Sequence, residues 1–134
     1  MTEVVLDASV VLKWFAPTDE AGEAEARVLR EQYLAGQLEI IVPSLLYLEL
    51  LNVTGRRWGW DERALLDLAT NLEALGFEPV EPGIHRVAAW VARGLAAYDA
   101  SYVAVAEERG VPLVSDNGAI LELAGEVARP LVRR

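Results

Sequence analysis

Four acidic residues spread along the chain, Asp7, Glu49, Asp99 and Asp116, each fall where a predicted strand or helix could aim a carboxylate at one common place. Carboxylates crowded together repel one another, and an ionised carboxylate buried alone takes up a proton instead. A divalent cation removes both penalties, so the pattern points to a metal site. Mg²⁺ and Mn²⁺ prefer oxygen ligands and keep waters, whereas zinc wants His or Cys. With one histidine, His85, and no cysteine, the residues suit Mg²⁺ or Mn²⁺. Such a cluster, holding one or two ions, can activate a water and stabilise the charge that develops at phosphorus during in-line displacement. The chemistry implied is phosphodiester hydrolysis.

Each acid also has an ordinary explanation. Asp99 opens the stretch Asp99-Ala100-Ser101-Tyr102-Val103-Ala104-Val105-Ala106, where its carboxylate could cap free backbone amides. Asp116 follows Leu113-Val114-Ser115 and reads by itself as a cap or turn residue. Glu49 shares a helical face with Leu45, Leu46 and Val53, so it needs a partner; Arg56, seven positions on, is one candidate and a metal is the other. Three of the six Asp residues nevertheless fall at strand or helix starts that a parallel fold can bring together.

The elements that must position these acids alternate between strand and helix. Val4 to Leu6 reads as a short buried strand, with Asp7 at its junction with a helix that Ala16-Pro17-Thr18 interrupts. Residues 19 to 35 read as a second helix, with Thr18 or Asp19 as its cap, Glu20, Glu23 and Glu25 at its positive end, and Gly36 ending it. Leu38 to Val42 is a second strand, and Pro43-Ser44 starts a long helix to about Trp58 that carries Glu49. Asp61 caps a helix through Leu75; a strand around Phe77 to Val80 and a helix from Pro82-Gly83 to about Arg93 follow. Residues 98 to 109 are helical, 111 to 115 a strand, and a short helix from Gly118 leads to a last strand near Ala128 to Val132. This alternation predicts an α/β fold, a three-layer α/β/α domain with a central parallel sheet of about five strands.

At 134 residues and 53% hydrophobic content, the chain fits a single domain over 1–134 with a substantial core. The lack of cysteine excludes disulfides, thiol nucleophiles and zinc ribbons. No charged n-region precedes a long apolar stretch, and no apolar run approaches the roughly 20 residues that span a bilayer, so a soluble, cytoplasmic protein with no membrane partner is expected. The net charge of -9 is an unfavourable field for a polyanion. A nucleic-acid substrate would need bound metal and a local Arg cluster to offset it. Eleven of the twelve basic residues are Arg, which fits a GC-rich genome or heat adaptation equally.

The segment Val4-Val5-Leu6-Asp7-Ala8-Ser9-Val10-Val11, the helix carrying Glu49-Leu50-Leu51-Asn52, and Tyr98-Asp99-Ala100-Ser101-Tyr102-Val103-Ala104-Val105-Ala106 together resemble the PIN-domain ribonucleases, most of all the VapC-type toxins of toxin–antitoxin modules. The resemblance covers nearly the whole chain, with three motifs in order. It implies Mg²⁺- or Mn²⁺-dependent endoribonuclease activity on RNA, a homodimer, and a cognate antitoxin that silences the acidic pocket. By this resemblance Asp7, Glu49 and Asp99 are the first three catalytic and metal-binding acids, and Ser9 is a supporting hydroxyl that orients Asp7 or a bound water. The fourth position departs from the family pattern of Thr, any residue, Asp. Matching Ser115 to the Thr puts Asn117 where the Asp belongs. Either Asp116 replaces it through a one-residue shift, or Asn117 serves as a neutral oxygen ligand.

Other residues carry weaker expectations. Arg56-Arg57-Trp58-Gly59-Trp60 joins cations to rings that could stack on unpaired bases, so Arg56, Arg57 and Trp58 are candidate RNA contacts, with helix-end packing or a protein interface as the alternative. His85 reads as a surface or core histidine, and Lys13 as a solvated lysine able to reach a phosphate or carboxylate. Leu45, Leu46, Leu48, Leu50, Leu51 and Val53 cover more than one helical face, a surplus that suggests a dimer or antitoxin contact.

Two other enzyme classes fit poorly. A phosphatase using Asp7 as nucleophile would want a second Asp where Ser9 stands, and a receiver domain would want an acidic pair after the first strand and a Lys after the last. The remaining alternative is a PIN-like binding module that lost catalysis through its irregular fourth motif.

Overall fold

A computed structural model describes residues 2–16 and 21–132. Five strands, β1 (Thr2–Leu6), β2 (Leu38–Val42), β3 (Glu78–Pro79), β4 (Leu113–Ser115) and β5 (Ala128–Pro130), form one sheet in the order β3-β2-β1-β4-β5, with every pairing parallel. The central strands are continuous apolar runs because both of their faces are covered: Val4, Val5, Leu6, Ile40, Ile41, Val42, Leu113 and Val114 are all buried. The edge strands β3 and β5 are only two and three residues long, which limits the unpaired backbone offered to other chains.

Among the described residues seven α-helices connect these strands: α1 (Ala8–Phe15), α2 (Glu23–Leu34), α3 (Leu45–Asn52), α4 (Glu62–Leu75), α5 (Ile84–Ala92), α6 (Ala97–Arg109) and α7 (Gly118–Leu123). Right-handed crossovers place α1 to α4 on the face reached while the chain steps from β1 to β3. The chain then returns past β1 to β4, which puts α5 to α7 on the other face. The packing agrees: α1 touches α2 and α3, and α3 touches α4, while α6 packs between α5 and α7 and against β1 and β4. This is the three-layer α/β/α arrangement expected.

Helix α6 is buried continuously from Ala100 to Ala106. Its small residues Ala100, Ser101, Ala104 and Ala106 let it lie close to the sheet, which carries its first turn and Asp99 to the ends of β1 and β4. On the opposite face Trp14 anchors α1. Its indole Nε1 donates to the Ala26 carbonyl at 2.8 Å, and its ring meets Phe77 edge-on with centroids 5.8 Å apart.

The predicted elements are present, with two local differences in the helices. Helix α2 starts at Glu23 behind Gly22, and the expected caps Thr18 and Asp19, with Glu20, lie outside the described residues. Gly22 has φ +99°, and a Cβ there would sit 2.9 Å from Leu131 Cδ2, so a glycine is required on both counts. The helix expected to run unbroken to Trp58 ends as α3 at Asn52 and continues as a π-helical turn, Val53–Arg57. Asp61 caps α4 as expected, its carboxylate accepting from Ala64 N at 2.9 Å.

Candidate metal centre

The chain leaves β1 towards β2 on one side and leaves β4 towards β5 on the other, so the crevice between the carboxyl ends of β1 and β4 is a topological switch point. Open α/β sheets place ligands at such crevices. Val5 pairs with Leu113 and Leu6 with Val114, so the next residues along, Asp7 and Ser115, stand side by side. A pocket of about 490 Å³ opens there, lined by Asp7, Ser9, Lys13, Glu49, Arg57, Trp58, Asp99, Tyr102, Asp116 and Asn117 among others.

Asp7 is the fixed point of this site. It is the N-cap of α1 and accepts a long bond from Val10 N at 3.4 Å. Ser9 Oγ donates to its Oδ1 at 2.6 Å and Ser115 Oγ donates to its Oδ2. Both hydroxyls are themselves held from the β4 loop: Asp116 N donates to Ser9 Oγ at 3.1 Å, and Asn117 N donates to Ser115 Oγ at 2.9 Å. The loop after β4 is thereby tied to the first strand's acid through two serines. An ionised carboxylate offers about four acceptor positions. Three donors therefore leave Asp7 capacity for one more partner.

The electrostatics of the three inner acids are set first by burial. Burial pushes the Asp7 acid up, against its bonds from Ser115, Ser9 and Val10, with the charge of Asp99 adding to the rise. Burial likewise raises Asp99, offset by Asn117. Glu49 is pushed up to about 7, first by burial and then by the charges of Asp99 and Asp7. Its Oε1 is buried and has no hydrogen-bond partner. Tyr102 OH is near enough to favour the ionised form of Glu49, yet it completes no hydrogen bond either. Asp7, Glu49 and Asp99 thus line one pocket, where Asp99 raises Asp7 and both raise Glu49, while nothing basic appears among the groups that shift them.

Asp116 differs from these three. Lys13 Nζ stands 3.7 Å from its Oδ2, with side-chain exposures of 9% and 24%. The expectation of a solvated Lys13 is therefore corrected: the packing of α1 against the β4 loop encloses it beside a carboxylate. Asn117 is the N-cap of α7, accepting from Ile120 N at 3.2 Å, and its Nδ2 lies 3.5 Å from Asp99 Oδ1. The residue that caps α7 is thus Asn117 and not Asp116. Asp99 does not occupy the N-cap of its helix either, because Ala96 does. Its third helical position turns its carboxylate towards Asn117 instead.

The π-helical turn explains which basic residue reaches the pocket. In an unbroken α-helix Arg56 would lie above Glu49, two turns on. One extra residue in the turn shifts that phase, so Glu49, Val53 and Arg57 line the pocket and Arg56 does not. Arg56 is exposed and forms no ion pair with Glu49 among the described residues. Trp58 is 41% exposed at the rim, tilted against Trp60 with centroids 6.1 Å apart. Tyr102 was not singled out in the sequence, although its place one helical turn after Asp99 puts it on the same face.

As the side chains stand, no three acids among the described residues are close enough to close round one ion. The donor set still fits a hard divalent cation. Its ligands are all oxygen, Glu49 Oε1 is buried without a partner, and Mg²⁺ keeps most of its waters while taking only one or two carboxylates.

Residues 4–126 match the sequence model of the PIN domain. No curated protein sequence matches. Among solved structures the fold is similar to PAE2754 from Pyrobaculum aerophilum, at 25% identity and a TM-score of 0.64, over 97% of this chain and 91% of that one. It is similar to VapC20 of Mycobacterium tuberculosis, a sarcin–ricin loop cleaving toxin, at 16% identity and a TM-score of 0.67, over 98% and 99% of the two chains. It is also similar to FitAcB from Neisseria gonorrhoeae, at 15% identity and a TM-score of 0.65, over 93% and 95%. With the family match running from within β1 past α7, and so including α6 and both strand ends that frame the pocket, the chain belongs to the PIN-domain family.

Proposed function

We propose that this protein is a metal-dependent endoribonuclease of the VapC type, hydrolysing RNA phosphodiester bonds at the pocket between β1 and β4. The observation that carries the reading is the trio Asp7, Glu49 and Asp99: three carboxylates at a topological switch point, all raised by burial, with Glu49 raised further by the charges of the other two and its Oε1 lacking any partner. A site of that kind is built for a cation from outside the chain. Family membership and the likeness to VapC20, a toxin that cleaves the sarcin–ricin loop, support it.

In this reading Asp7, Asp99 and Glu49 would hold Mg²⁺ or Mn²⁺, one or two of them directly and the rest through its waters, with Asp116 beside Lys13 completing the acidic wall. The bound ion supplies positive charge that stabilises the phosphorane-like transition state and lowers the pKa of the attacking water. Ser9 and Ser115 keep Asp7 in one orientation, so little reorganisation is needed during the reaction. Glu49, through the Oε1 that has no partner within the chain, would help to orient the attacking water. Arg57 meets a phosphate, and the exposed ring of Trp58 stacks on an unpaired base, with Arg56 on the outer rim. A cognate antitoxin covers the pocket, and the protein acts as a cytoplasmic homodimer of single-domain chains.

The test is cleavage of a pool of structured RNAs with Mn²⁺, with Mg²⁺ and with EDTA, alongside Asp7→Asn. Discrete products ending in 5′-phosphate and 3′-hydroxyl, dependent on metal and on Asp7, are expected. Products ending in a 2′,3′-cyclic phosphate would refute the mechanism, because attack by water does not use the neighbouring 2′-hydroxyl.

A further inference from the structure

The pocket's four acids divide three to one. All four line the pocket, but Asp99 acts on Asp7, both act on Glu49, and Asp116 is absent from the charges that act on any of the three. Asp116 instead faces Lys13 at 3.7 Å. Lys13 is held in place: its side chain is 9% exposed, and its Cε lies over Gly22, where even a Cβ would come within 3.5 Å. An ammonium is a compact point charge, and its enclosure is sustained by the carboxylate beside it. In two-metal sites the second ion sits about 4 Å from the first and needs a carboxylate of its own. The acid available for that task already has a cation.

We propose that Lys13 is the resident cation of the fourth acidic position, so that the pocket takes a single divalent ion, on the side of Asp7, Glu49 and Asp99. The substrate phosphate then meets that ion together with the Lys13 ammonium. The inference rests on the metal-dependent reading above. It assigns a positioning role to a lysine that the spacing of acids alone does not reveal.

The experiment is a Mn²⁺ titration of the full chain by calorimetry, with free Mn²⁺ followed by electron paramagnetic resonance. One ion is expected for the unaltered protein and for Lys13→Arg, and two for Lys13→Met, returning to one when Asp116→Ala is added. A thermal melt shows that each variant is folded. Should Lys13→Met fail to fold, Asp116→Asn decides. If Asp116 serves Lys13, the ion's affinity stays within about twofold; a ligand would lose at least the tenfold that even an outer partner brings. Two ions in the unaltered protein, or one in a folded Lys13→Met, would overturn the inference and leave the nuclease reading standing. No Mn²⁺ binding at all would overturn both.

Discussion

The face formed by α5 and α6 and the pocket at the end of β1 both carry acids, and they treat them in opposite ways. On the helical face Glu107 accepts from Trp90 Nε1 at 3.0 Å and pairs with Arg86 at 3.1 Å. Glu108 accepts from Gly83 N at 2.7 Å and lies 3.6 Å from the Arg86 guanidinium. Arg93 sits over the Trp90 ring at 4.4 Å. The bond from Trp90, with help from Arg86 and Arg93, holds the Glu107 acid below its ordinary value against the opposing effect of burial. In the pocket Glu49 is pushed up to about 7 and has an oxygen with no partner. One residue type thus reports two designs. Where charge serves structure, the chain supplies both signs. At Glu49 no positive group of the chain is among those that shift it.

The largest effect should come from Asp7→Asn. Activity on RNA should fall by roughly 10³-fold, within the range for losing a group that acts at the reacting centre. The melting temperature should hold or rise, because a buried charge is removed while Ser9 and Ser115 keep a partner. A marked loss of stability would mean that Asp7 is structural in the way Glu107 is.

Metal should act on the pocket alone. At a free Mn²⁺ concentration 100 times its dissociation constant, binding should stabilise the protein by about 2.7 kcal/mol. That corresponds to roughly 10 °C in melting temperature for a domain of this size. A calorimetric melt with and without Mn²⁺ checks this, and Asp7→Asn should remove most of the shift.

The pH dependence carries a definite sign. Glu49 is raised from 4.5 unfolded to about 7 folded, so the folded state binds more protons between those values. The stability of the metal-free protein should therefore decline as pH rises from about 5 through 7, with the full contribution present only below the unfolded value. After discounting for solvent screening the change is on the order of 1–2 kcal/mol. Glu49→Gln should flatten it, and chemical denaturation across that range measures it. A slope of the opposite sign would place a cation of the chain's own beside Glu49.

The smallest effect is expected on the helical face. Arg86→Ala should cost less than about 1 kcal/mol, since its pairs with Glu107 and Glu108 are partly exposed, and should leave RNA cleavage and Mn²⁺ affinity unchanged. A change in either would show that the two regions are not independent.

Much of this was legible in the residues. Continuous apolar runs separated by helical stretches specify central parallel strands, since only a strand covered on both faces tolerates Val4-Val5-Leu6 or Ile40-Ile41-Val42. Asp7 at a strand end, Glu49 on an apolar stripe and Asp99 at a helix start were readable for the same reason: local periodicity sets the direction of each side chain. Two features were not readable. The π-helical turn, which exchanges Arg56 for Arg57 at the pocket, has no periodic signature before it forms. The exposure of Leu48, at 69%, leaves the apolar surplus of α3 without a partner among the described residues.

By itself the sequence determined the identity of the elements, their order and the acids that three of them carry, because these follow from local spacing and residue type. Only the tertiary structure decided how those acids are partnered. Asp7 meets Ser115 across 108 positions and Asp116 meets Lys13 across 103, contacts set by strand register and helix packing. Charge interactions depend on distance and burial in space, neither of which the linear chain specifies. The difference between Asp116, which has Lys13 beside it, and Glu49, whose Oε1 has no partner, therefore appears only once the chain is folded.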